Sequence, residues 1–92
     1  MYNITQHSKE QARKLNVTIK PSSVKNKKID VFDASGQKVA SIGHKRYKDY
    51  GTYLNEKGQA FANTRRRLYR ARHENDAKKK GSPGYYAYNI LW

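Results

Sequence analysis

The sequence predicts an α+β fold: a small single domain in which a β-hairpin packs on one main helix, with a shorter helix before it. Three observations carry this. Residues 28–43, KIDVFDASGQKVASIG, hold two β-rich runs around a glycine-containing turn. Phe61, Thr64, Leu68 and Ala71 recur at helical spacing within residues 57–75. The chain has 92 residues and no cysteine, which suits one domain and excludes disulfides and thiolate metal sites.

The elements follow in order. Ser8 with Gln11 reads as a capping box that opens a short helix running through Leu15. Val17-Thr18-Ile19 has β character and stops at Pro21, and residues 20–28, KPSSVKNKK, read as a polar connector. Residues 1–26 are thus expected to be an N-terminal extension, and residues 27–92 the small basic α+β domain. In the hairpin, Ile29, Val31 and Asp33 alternate with Asp30 and Phe32, and Val39 and Ile42 follow the turn. A lone hairpin is marginal in water, so helices must cover its apolar face. Tyr47, Tyr50 and Leu54 share one face of the shorter helix. The main helix should bury Phe61 and Leu68, with Gly58 weakening its first turn. Gly81-Ser82-Pro83-Gly84 breaks the chain, and YYAYNILW closes it.

Charge dominates the rest. Net charge is +13, from 20 basic against 7 acidic residues. Such a balance points to polyanionic partners rather than to a fold. Aromatic content of 12 % is too high for a disordered basic tail. Between residues 65 and 80, eight basic groups face only Glu74 and Asp76. A solvated face normally mixes its signs, so this excess reads as a binding face. On the helical wheel Arg66, Arg67 and Arg70 lie opposite the Phe61–Leu68 stripe, and with Lys78, Lys79 and Lys80 they form the expected polyanion- or partner-binding set. Arg65 and Arg72 fall beside Leu68 and are expected to border the core as structural arginines, reaching Asp30, Asp33 or Asp49.

Enzyme chemistry has little to build on. His7, His44 and His73 show no metal-ligand spacing, and the Gly81–Gly84 loop opens no phosphate-binding helix. No metal, cofactor or small-molecule substrate is expected. No apolar run at the amino terminus suits a signal peptide, and none approaches the ~20 residues of a membrane span. Tyr85, Tyr86, Tyr88 and Trp92 either dock on the hairpin or anchor a neighbouring protein, since Tyr, Trp and Arg dominate interface energetics.

From Lys27 to Trp92 the order of motifs is a hairpin ending Ile42-Gly43, then Tyr47-x-Asp49-Tyr50, then Arg65-x-x-x-Tyr69-x-x-Arg72-His73. A Gly81-Ser82 turn and a final Leu91-Trp92 follow. In this order they resemble the short basic proteins of large DNA viruses of algae and protists. Gly51-Thr52 departs from the threonine that follows the Asp-Tyr pair in that group. The resemblance implies a viral context and no defined activity. Two functions are compatible with it, the first the expectation and the second its alternative. One is a non-enzymatic structural component of the virion, a minor capsid or cement protein binding acidic partners through its arginine-rich helix. The other is a sequence-independent protein that coats or condenses viral DNA. Viral capsid proteins or viral DNA would be the partners. The virion would be the location, with host cytoplasm or nucleus the site of assembly.

Overall fold

The computed structural model describes residues 2–92. Helix α1 (Gln6–Lys14) leads into a three-stranded antiparallel meander of β1 (Thr18–Pro21), β2 (Ile29–Phe32) and β3 (Lys38–Ile42). Helices α2 (Tyr50–Lys57) and α3 (Gln59–Arg72) follow, then short α4 (Glu74–Lys78) and α5 (Pro83–Tyr86), and a π turn over Ala87–Leu91. The α+β architecture holds, with the hairpin where its alternation and turn chemistry put it. Asp33 builds that turn: its Oδ1 accepts from the amides of Ser35 and Gln37, both at 3.0 Å.

The sheet has one strand more than the hairpin. Thr18–Pro21 pairs with β2, Ile19 opposite Val31 and Pro21 opposite Ile29. Proline is tolerated there because β1 is an edge. As the central strand, β2 buries Ile29, Asp30 and Val31 in succession. Ile29 pairs with Ile42 and Val31 with Ala40, and these four line the core with Tyr50, Ala62, Ile90, Leu91 and Trp92. On the other face Asp30 accepts from the hydroxyls of Ser22 at 2.6 Å and Ser41 at 2.7 Å. Burial alone would push Asp30 up, but these hydroxyls, the Ser23 amide and Lys38 hold its carboxyl below the usual range.

The expected N-terminal extension is part of the same packed unit. Thr5, not Ser8, caps α1, its side chain accepting from the Ser8 amide. Ser8 is fully buried and donates its hydroxyl to the Ile90 carbonyl at 2.9 Å, and Gln11 donates to the Asn89 carbonyl at 3.0 Å. A π turn leaves carbonyls without regular helical partners, and α1 supplies donors for them. Gly51 lets α1 and α2 meet, since a Cβ there would lie 2.2 Å from the Thr5 hydroxyl.

Gly58, at φ +89°, divides α2 from α3, where the sequence suggests only a weak first turn. The larger correction concerns which side of α3 is buried. Phe61 and Leu68, expected in the core, are 45 % and 44 % exposed, and Thr64 and Ala71 are exposed with them. The inward side is nearly opposite: Ala62 is fully buried, and Arg66, Tyr69, Arg70 and His73 are half-buried. Two contacts decide this. Ala62 is small enough for α2 and α3 to approach closely, and Tyr69 stacks on Trp92, 4.4 Å between ring centres at 8°.

Candidate nucleic-acid interface

The rotation of α3 redistributes the arginines. Arg66 and Arg70, expected to point outward, lie over tyrosine rings: Arg66 stands 4.2 Å from the Tyr50 ring centre and Arg70 5.0 Å from that of Tyr88. Ring faces attract guanidinium, and both side chains are half-buried there. Arg65 and Arg72, expected to border the core, are exposed, although Arg65 keeps the Tyr53 ring at 5.5 Å. Arg67 is exposed as expected, and so are Lys78, Lys79 and Lys80.

Among the described residues carboxylates hold none of the arginines, and the ion pairs are Lys28–Asp49, Lys38–Asp30, Lys48–Glu56 and His73–Asp76. The acids proposed from sequence as arginine partners are committed elsewhere: Asp33 to its own turn, Asp30 to serines and Asp49 to Lys28. Tyrosines therefore brace Arg65, Arg66 and Arg70 while leaving their charge uncompensated. The Arg70 Nε is buried with no hydrogen-bond partner, so one donor of this row is unspent. His7 sits at the inner end, 4.5 Å from the Tyr50 ring, and burial with the Arg66 and Arg70 charges lowers its pKa. It adds no positive charge at neutral pH.

A second feature was invisible in the sequence: a groove of about 620 Å³. Its buried part contains the Lys28–Asp49 pair, Leu91 and Trp92, and its exposed part His44, Tyr47, Lys48, Arg65 and Arg72. Between them lies a column of rings, Trp92 on Tyr69 at 4.4 Å and Tyr69 on His73 at 4.3 Å. Burial first, then the Asp76 charge, raises the Tyr69 pKa, so its phenol stays neutral. With Lys28 paired to Asp49 and Lys48 to Glu56, Arg65 and Arg72 set the groove's positive sign. These residues come from four separate stretches of chain, which is why no local pattern exposes the groove. A signal did exist. Gly43, Tyr47, Asp49, Arg65, Tyr69, Arg72, His73, Leu91 and Trp92, drawn from the scattered motifs quoted above, all line it.

The closing aromatics divide. Trp92 is 9 % exposed and belongs to this chain's own core, and Tyr85, Tyr86 and Tyr88 are half-buried. Tyr86 packs on that core, and Tyr88 carries Arg70. Among the described residues no group of three His, Asp or Glu side chains could hold a metal ion, and no helix is long and apolar enough to cross a membrane. No protein-family model, curated protein or solved structure matches this chain.

Proposed function

We propose that this protein is a non-enzymatic nucleic-acid-binding protein that grips the phosphate backbone without reading sequence. One observation carries the reading: Arg65, Arg66 and Arg70 are ordered by tyrosine rings instead of carboxylates, so their charge stays available to a polyanion. Guanidinium suits bidentate contact with phosphate, and bracing lowers the entropy lost on binding. The closing segment lends support, because Ile90, Leu91 and Trp92 serve this chain's own core and are not free to anchor a neighbour.

Fluorescence anisotropy with labelled oligonucleotides across a salt series tests this. If Arg65, Arg66, Arg70 and Arg72 each neutralise a phosphate, log K on duplex DNA should fall by about 3.6 per log unit of salt, and by about 2.8 on single strands. Absence of binding at about 50 mM salt, or an affinity indifferent to salt, would refute the reading. Arg65→Gln and Arg72→Gln should each leave stability within about 0.5 kcal/mol and reduce the salt slope by about 1. Arg66→Ala and Arg70→Ala should in addition lower stability by about 1 kcal/mol each through lost ring contact. Equal melting temperatures for the two sets would contradict the orientation of α3.

The virion-component reading keeps one observation in its favour. Phe61 and Leu68 are exposed on α3 beside Arg65 and Arg72, a combination suited to an acidic protein surface with apolar residues. The two readings separate in purified virus particles. Recovery with the nucleoid supports DNA coating; recovery with the shell, in an interface above ~1,200 Å², supports a capsid role.

A further inference from the structure

The groove has a lining that the phosphate-gripping surface does not need. A polyanion held only by charge requires cations on an exposed face. Here unpaired cations at the mouth give way inward to stacked aromatic rings, Leu91 and the mutually neutralised Lys28–Asp49 pair. That gradient, net positive charge outside and rings with no net charge inside, matches the gradient of one unpaired nucleotide, with phosphate at one end and a flat base at the other. A duplex offers no such match, because its base faces are stacked on one another and only its sugar–phosphate edge is outside. The volume of about 620 Å³ falls within the range of sites that enclose a small ligand.

Tyr47 marks the place where a base would enter. It is 67 % exposed, the most exposed large apolar side chain among the described residues. Its one ring neighbour is His44, at 5.6 Å and tilted by 57°. The loop around it is nonetheless ordered: the Tyr47 amide donates to the His44 carbonyl at 3.0 Å, and the Arg46 amide to the His44 Nδ1 at 3.1 Å. A turn therefore holds this ring at the groove instead of letting it collapse on the core. Arg65 and Arg72 line the same groove, two turns apart on α3 and so about 10 Å along its axis.

Resting on the nucleic-acid reading above, we propose that this groove is a single-strand site, in which an unpaired base stacks on Tyr47 while Arg65 and Arg72 hold the flanking phosphates. The chain then distinguishes strand state without distinguishing sequence, since every base has a stacking face.

The test uses the full chain, with labelled oligo-dT, oligo-rU and a duplex of equal length titrated by anisotropy at one salt concentration. Tyr47→Ala should weaken binding to the single strands by about 5- to 150-fold, the range set by loss of one base–aromatic stack. It should leave duplex affinity unchanged, and Tyr47→Phe should retain single-strand affinity. Circular dichroism should be unaltered, since Tyr47 is on the surface. Equal loss on single strand and duplex, or a single-strand loss below about twofold, would overturn the single-strand site and leave the nucleic-acid reading standing. If the unaltered protein binds none of the three, both fall.

Discussion

Asp49→Asn is expected to lower unfolding free energy by about 3–5 kcal/mol, as breaking one side of a buried ion pair does. Asp49 is 1 % exposed and Lys28 4 %, and their Oδ2–Nζ distance is 2.9 Å. The same Oδ2 accepts the Tyr2 hydroxyl at 2.6 Å, while Oδ1 caps α2 through the Thr52 amide at 2.9 Å. Asparagine keeps the cap through its oxygen, but its Nδ2 accepts from neither Lys28 nor Tyr2, so the loss combines the charge with two hydrogen bonds. Lys28 would remain buried without its counter-ion. Adding Lys28→Met should recover most of the loss, because an apolar pair can replace a buried ion pair with little penalty. Urea denaturation of the two single variants and the double variant measures this. If the double variant is as unstable as the sum of the singles, the pair is not coupled.

The pH dependence follows with a definite sign. Burial raises the Asp49 pKa, but the Lys28 charge, the Tyr2 hydroxyl and the Thr52 amide outweigh it and hold the carboxyl below its ordinary value. A carboxyl depressed in the folded state contributes stability above its unfolded pKa, and that contribution fades as pH falls through the folded value. Asp30 acts in the same direction. Stability should thus decline below the ordinary carboxylate range, and Asp49→Asn should flatten that decline. For Tyr2, burial first and then the Asp49 hydrogen bond push the phenol pKa up, so it donates throughout this window.

Trp92→Ala should cost about 3–5 kcal/mol, whereas Leu68→Ala should stay within about 0.5 kcal/mol. Trp92 is nearly buried, stacks on Tyr69 and lies 6.2 Å from the Tyr53 ring, so its loss opens the core and the groove together. Leu68 is 44 % exposed and outside the core cluster. Apolar periodicity alone would rank the two the other way, with Leu68 in the core. Thermal or urea unfolding of both variants decides, and a Leu68→Ala loss of about 2–5 kcal/mol would mean that α3 is turned to its apolar stripe after all.

The hairpin was legible because its information is local. Asp33, Ser35 and Gly36 encode the turn, and Ile29, Val31 and Ile42 keep strand alternation. The main helix was legible as a helix but not in its orientation. Periodicity counts Phe61 and Leu68 as apolar and Arg66 and Arg70 as polar, yet the guanidinium groups of Arg66 and Arg70 lie over the rings of Tyr50 and Tyr88 on the half-buried side. Which side wins depends on Trp92 reaching Tyr69, a contact between residues far apart in the chain. The edge strand β1 was half visible as the β character of Val17–Ile19, and its pairing with β2 was not. Of the candidate site, the excess of basic charge could be read directly, whereas Arg65 and Arg72 were expected at the core edge and the groove needed four separate stretches to converge.

The bond from Ser8 to the Ile90 carbonyl ties together positions 82 apart. Closing a loop of that length costs roughly 4 kcal/mol of chain entropy before any contact is gained, whereas the meander between residues 18 and 42 closes over short spans. Folding therefore has an order in time. The sheet can form early, while the core is sealed only when the π turn reaches α1. Until then the apolar face of the sheet stays uncovered. Trp92 reports the final step, and a change in its fluorescence preceding strand formation would contradict this sequence of events.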